Sequence, residues 1–248
     1  MQVTRLLMGM PITVEIVDNG DDGAVIEQAF AYFDSVDRRF STYKDDSEIS
    51  AINQGRLGEA GYSAEMREVL ALAEKTRRET YGYFDIRTPN GTLDPSGIVK
   101  GWAIRNAAAL VARSGARDYY VDAGGDIQAA GRNPEGKAWR VGIRNPFDQT
   151  QIIKVVEPHG RGVATSGTYA RGQHIYDPHA RGAILDEVVA LTVIGSDVLE
   201  ADRFATAAFA MGRDGIAFIE QTQDLEGYLV DRNGRATYTS GFESFCSS

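Results

Sequence analysis

The chain has almost nothing with which to cross-link itself. It carries one cysteine, Cys246, and only three histidines in 248 residues. A lone thiol near the C-terminus excludes an internal disulfide. A chain this long buries enough apolar surface that neither a disulfide nor a structural metal is needed to hold its core. No apolar run approaches about 18 residues, which excludes a membrane-spanning helix. Positive charge is also scarce: 26 Lys and Arg against 35 Asp and Glu give a net charge of −9. A nucleic-acid binder would present a basic face, so that class is set aside. The same acidity constrains any anionic ligand, which must be held by local devices: a bound cation, helix N-termini or backbone amides. The N-terminal run MQVTRLLMGMPITVEIV lacks a charged n-region, a continuous apolar core, a cleavage site and an early cysteine, so the expectation is a cytoplasmic protein. There is no repeat period and no low-complexity segment.

What is present reads as alternating short strands and amphipathic helices. Residues 10–18, MPITVEIVD, alternate apolar and polar as a half-buried strand does, and a turn follows through Gly23. Ile26, Phe30, Phe33, Val36 and Phe40 recur at helical spacing, predicting a helix over 24–40 that lays this stripe on a sheet. Ser47 starts a short helix. Ser63 caps a second, running from Ala64 to about Thr80 and ended by Gly82. Asp94 and Pro95 fit N-cap and first position of a third. Residues 118–127, DYYVDAGGDI, read as a buried strand ending in a Gly-Gly turn, either a tight turn or a nest of amides. Asp214 caps a helix through Gln221. Strands over 226–231 and 236–240 are joined at Asn233–Gly234, which suits a type I′ hairpin. His159 and His179 read as surface residues.

The chemistry is concentrated in residues 162–206. Thr165, Ser166, Thr168 and Tyr169 gather four hydroxyls around Gly167, and His174 sits three residues before Asp177. Asp202 and Thr206 are four apart, so on a helix they share a face. That pair has two readings: Asp complementing the dipole of a first turn with Thr bonding back to a carbonyl, or two oxygen donors for a hard cation. Lys100 reads as a solvated charge or a phosphate contact, and Tyr43 as a packing aromatic.

The segments TSGTYAR, HIYDP and EADRFATAAFAMG, with SEIS-AIN, LDPSGIVKG and VDAGGD before them, together resemble the ApbE family, the FAD:protein FMN transferases. Four departures stand out. Arg181 replaces a threonine, Met10 replaces the threonine of an early M-G-T motif, Asp122 stands where asparagine is common, and a long stretch usual after Asp85 is absent. The resemblance implies an α+β fold: one domain over residues 1–248, built as two interlocked lobes of mostly antiparallel sheet flanked by helices. It implies Mg²⁺ held by the Gly97 carbonyl, Asp202 and Thr206, and FAD contacted by Met8, Tyr43, Asp94, Lys100, Ser166 and Tyr176, with Tyr43 beside the flavin ring. His174 becomes the base. The expected reaction moves FMN from FAD to a Ser or Thr hydroxyl of an acceptor protein and releases AMP. An FAD pyrophosphatase and a non-catalytic FAD-binding protein share the same binding motifs.

Overall fold

Ten strands and six α-helices make up the described part of the chain, residues 1–18, 22–168, 178–179 and 187–247 of a computed structural model. The strands are β1 (Gln2–Leu7), β2 (Met10–Ile16), β3 (Tyr119–Ala123), β4 (Asp126–Ala130), β5 (Val141–Asn145), β6 (Asp148–Val156), β7 (Gly162–Gly167), β8 (Val188–Gly195), β9 (Glu226–Asp231) and β10 (Ala236–Tyr238). Eight of them form one sheet in the order β1-β2-β3-β4-β7-β8-β9-β10, while β5 and β6 make a separate two-stranded ribbon. Every neighbouring pair is antiparallel.

Alternation fixes the register. Ile12, Val14 and Ile16 of β2 are fully buried, and they lie opposite Ala123, Val121 and Tyr119 of β3, so one face of this pair is continuous apolar surface. Most of β8 is buried instead of alternating, because both its faces are covered. Two helical packs lie against the sheet. In the first, α1 (Gly23–Phe40), α3 (Ala64–Glu79) and α4 (Ser96–Arg113) share a core with β2 and β3. The expected stripe of α1 is the buried one. In the second pack, α5 (Val198–Ala210) and α6 (Gly215–Gln221) cover β7, β8 and β9. The packs are the two lobes of an α+β fold, and the sheet runs unbroken beneath both. A third apolar cluster joins the β5–β6 ribbon, through Val141, Ile143 and Val156, to Ile127, Val163, Ile194 and Phe242.

Serine caps form as expected. Ser47 Oγ accepts from Ser50 N–H ahead of α2 (Glu48–Asn53), and Ser63 Oγ accepts from Met66 N–H ahead of α3, each at 3.1 Å. Three local expectations are corrected, while the strand ending in a Gly-Gly turn forms as expected and runs on into β4. The helix expected to be capped by Asp94 begins one residue later: Pro95 holds the N-cap position, and Asp94 Oδ1 accepts from Ser96 N–H at 3.0 Å. The stretch 118–127 is the hairpin β3–β4, turning at Gly124 and Gly125 with φ of 64° and 99°. The β9–β10 turn is not type I′. Only Gly234 is left-handed there, at φ 76°, while Asp231 Oδ1 accepts from the N–H groups of Asn233 and Arg235 at 2.8 and 2.9 Å. That is the three-residue loop with a glycine bulge. Asp214 precedes α6 but makes no side-chain cap. Among the described residues, no helix is long and apolar enough to cross a membrane.

Candidate functional site

Helices α4 and α5 cross where α4 begins, and a glycine lets them. A Cβ on Gly101 would sit 2.7 Å from Asp202 Cβ and 2.9 Å from the Val198 carbonyl oxygen. With hydrogen there instead, Gly101 N–H reaches across and donates to Asp202 Oδ2 at 2.8 Å. In a regular helix that N–H serves the Gly97 carbonyl one turn back. One turn further along α5, Thr206 Oγ1 stands 3.5 Å from the Gly97 oxygen and 3.3 Å from Ser166 Oγ of β7. Asp202 is not in the first turn of its helix. Asp197 is the N-cap, its Oδ1 accepting from Glu200 N–H at 3.0 Å, and Asp202 lies deeper, 2 % exposed. Every residue of α5 except Glu200 and Thr206 is buried.

Burial makes this corner electrostatically unusual. Lys100 Nζ is 2.5 Å from Asp126 Oδ2 and 3.5 Å from Asp202 Oδ1. Asp126, at the start of β4, is 1 % exposed, and its Oδ1 accepts from Thr165 N–H at 3.0 Å. Its Oδ2 is in ion-pair contact with the ammonium and has no hydrogen-bond partner among the described residues. Two buried carboxylates therefore face one ammonium. Burial pushes the Asp202 carboxyl up to about 7; the Lys100 charge opposes that and the Asp126 charge adds to it. Nearby Asp122 is likewise raised by burial, although Gly125 N–H and Tyr120 OH donate to it.

This arrangement fits a cation. A buried carboxylate excess is costly unless it is paired or coordinates a metal. The Gly97 carbonyl, Thr206 Oγ1 and the Asp202 carboxylate are hard oxygen donors of the kind that suits Mg²⁺ with waters or phosphate oxygens completing its shell. No cluster of three or more His, Cys, Asp or Glu side chains offers an alternative metal cage among the described residues.

The corner opens into a cleft of about 1030 Å³, at the upper end of the ~300–1,000 Å³ range of small-molecule sites. Asp94, Gly97, Lys100, Ser166, Asp202 and Thr206 all line it. Two other candidates do not. Met8 is half-buried against the first core at the β1–β2 turn, with only its neighbours Gly9 and Met10 reaching the cleft. Tyr43 is 97 % exposed in the turn between α1 and α2 and is not part of the lining. His174 and Tyr176 lie outside the described residues; Gly167 before them and Pro178 after them both border the cleft. Sequence reasoning missed Asp126 as a site residue, reading its Gly-Gly-Asp context as a turn. It also left His179 without a partner. The imidazole Nε2 is 3.0 Å from the Tyr81 carbonyl oxygen, and the ring stands edge-on to Tyr83 at 4.5 Å.

A family model described as the ApbE family matches residues 8–89 and 86–229. An FAD:protein FMN transferase of Klebsiella pneumoniae (strain 342) is 31% identical over 168 residues, covering 64% of this chain and 47% of that protein. The chain thus spans about half the length of that relative. An FAD:protein FMN transferase of Haemophilus influenzae is 25% identical over 305 aligned positions, covering 96% of this chain and 88% of that protein. The crystal structure of the Pseudomonas stutzeri flavinyl transferase ApbE, apo form, superposes with a TM-score of 0.85 at 26% identity, over 99% of this chain and 96% of that one.

Proposed function

The chain belongs to the ApbE family, and on that premise we propose that it transfers the FMN half of FAD to a Ser or Thr hydroxyl of an acceptor protein, releasing AMP. The observation that carries this reading is the oxygen set of Gly97, Thr206 and Asp202 at the wall of a dinucleotide-sized cleft, where Asp202 and the buried Asp126 share one ammonium. These three residues would hold Mg²⁺. When bound, that ion supplies neutralisation of the pyrophosphate and of the charge gathering on the departing AMP. Lys100 keeps Asp126 and Asp202 apart in charge and fixed in place. Asp94, at the mouth, and Ser166, on β7, would contact the nucleotide, and Tyr43 and Met8 would reach it only from outside the lining described. The acceptor oxygen bonds to the FMN-side phosphorus, the bond from that phosphorus to the bridging oxygen breaks, and the AMP phosphate takes that oxygen. The hydroxyl proton goes to a base, for which His174 is the assignment, since imidazole titrates near neutrality.

The test incubates the protein with FAD and Mg²⁺, with and without a flavoprotein acceptor, and weighs the acceptor. A gain of one FMN on a Ser or Thr, with AMP released, is expected. AMP without acceptor labelling turns the reading to a pyrophosphatase, and intact FAD in both tubes turns it to FAD storage.

A further inference from the structure

The cleft is also lined by positive charge that no carboxylate among the described residues pairs with. Arg140 and Arg144 both line the cleft. Between them Val141 and Ile143 are each 4 % exposed and belong to the third apolar cluster, whereas Arg140, just before β5, and Gly142 and Arg144 within it are exposed, with the β5–β6 ladder shifting register at Arg144. Among the described residues neither guanidinium pairs with a carboxylate. Arg140 reaches Ser247 Oγ and Arg144 the Gln149 carbonyl, each at a long 3.3 Å. In a chain with 35 acidic residues against 26 basic ones, two arginines that line a cleft and pair with no acid among the described residues are conspicuous. Asp122 stands within range of the Arg144 charge, but it is engaged by Gly125 N–H and Tyr120 OH.

The strand itself is open. β5 pairs only with β6, and its backbone makes no other hydrogen bond among the described residues. An unpaired strand edge is a template for another extended chain. Four residues of strand separate the two arginines by about 13 Å. That is too wide for one carboxylate or phosphate to bridge, and it equals the separation of side chains four apart on an adjacent extended polypeptide. Between the guanidiniums Gly142 is roofed by Ile152, whose Cδ1 would lie 2.9 Å from a Cβ there, and Ile152 is itself half exposed on the cleft. The face is thus two cations with an apolar patch between them.

We propose that β5 is the docking edge for the acceptor polypeptide, which lies along it as an extended acidic segment with carboxylates four residues apart on Arg140 and Arg144. Opposite charges directly across two strands are favourable, and arginine suits carboxylates by its planar fork. The proposal rests on the transfer reading, because it is the acceptor that must enter the cleft beside the dinucleotide.

The probe is a fluorescein-labelled twelve-residue peptide with one threonine and aspartates at two positions four apart. Counterparts carry asparagine or lysine at those positions. Anisotropy titrations at low salt compare the wild type with the double variant Arg140→Glu/Arg144→Glu, whose fold is checked by circular dichroism; FAD affinity is followed in parallel. The acidic peptide should bind wild type at least tenfold more tightly than the double variant. The lysine peptide should show the reverse preference, and FAD affinity should stay within twofold. Equal binding of acidic and asparagine peptides to wild type overturns the proposal. So does undiminished binding of the acidic peptide by the double variant. A parallel loss of FAD affinity overturns it as well, assigning the guanidiniums to the dinucleotide. FMN transfer to a protein acceptor is scored separately by mass. Charge-selective peptide binding without any transfer removes the transfer reading and leaves the edge standing. Transfer at the same acceptor KM in wild type and double variant removes the edge and leaves the transfer reading.

Discussion

The two sides of the cleft solve opposite problems. On the inner side, acid exceeds base: buried Asp126 and Asp202 lie around the half-buried Lys100, whose side chain is 18% exposed. On the outer rim, base exceeds acid and both arginines are exposed. If the proposed transfer reading holds, an acidic protein would admit anions in two ways. Deep in the fold it keeps a carboxylate surplus, which a divalent ion would reverse in sign. At the surface it leaves two guanidiniums uncommitted, where water lowers the cost of holding them. The difference teaches that substitutions on the inner side should be felt in both folding and metal dependence, whereas those on the rim should be felt only in what the cleft admits.

Four substitutions or conditions test that contrast. The largest effect belongs to Asp202→Ala. It removes one metal donor yet leaves Lys100 paired one-to-one with Asp126, so the fold should persist while Mg²⁺-dependent AMP release from FAD falls by about 100-fold or more; activity equal to wild type, or insensitive to EDTA in both, would break the contrast. Lys100→Met comes next. It strands two carboxylates without their cation, and loss of one partner of a buried ion pair costs about 3–5 kcal/mol. Urea melts in EDTA should show this, with partial recovery on adding Mg²⁺.

The pH dependence is smaller. Burial, opposed by the Lys100 charge and helped by Asp126, pushes the Asp202 carboxyl up from an ordinary value of 3.8 to about 7. A carboxyl whose folded value is raised favours the folded state while protonated. Its contribution is full below about 3.8 and is lost as pH rises through about 7. The metal-free protein should therefore lose stability between those two values, and Mg²⁺, which takes the ionised form, should flatten the slope. Thermal melts across that window with and without EDTA measure it, and parallel curves would refute the assignment. Smallest of all, Arg140→Gln and Arg144→Gln should each shift unfolding free energy by no more than about 0.5 kcal/mol, as exposed positions usually do; a larger loss in urea melts would mean that the rim is part of the folded framework.

How much of this was readable in the residues differs from element to element. The stripe of α1 and the caps Ser47 and Ser63 were plain, because local spacing and local hydrogen bonds decide them. β1 was not, since its residues are mostly exposed and show no alternation. Asp202 and Thr206 were identifiable as a pair by their interval of four, but of the two readings the first-turn one does not hold, since Asp197 is the N-cap and Asp202 lies deeper in the helix. Asp126 could not be found from its own neighbourhood. Its partners, Lys100 and Thr165, lie far away in the chain and meet it only because β4 pairs with β7 under the start of α4. Arg140 and Arg144 carry no such signal either, because their exposure follows from the burial of Val141 and Ile143 in the third apolar cluster. Tyr43 shows the converse: an aromatic in a recognisable segment that the fold leaves in solvent.

The Gly97 carbonyl and Thr206 hydroxyl are 109 positions apart in the chain, one in each helical pack, and the sheet beneath them is joined at that point by only the Ile127–Val163 and Gln128–Gly162 rungs of β4 and β7. Neither half of the polypeptide, severed from the other, would own a complete set of ligands. An ion seated there would rivet the protein across its narrowest seam, so that occupancy and the cohesion of the two halves become a single quantity.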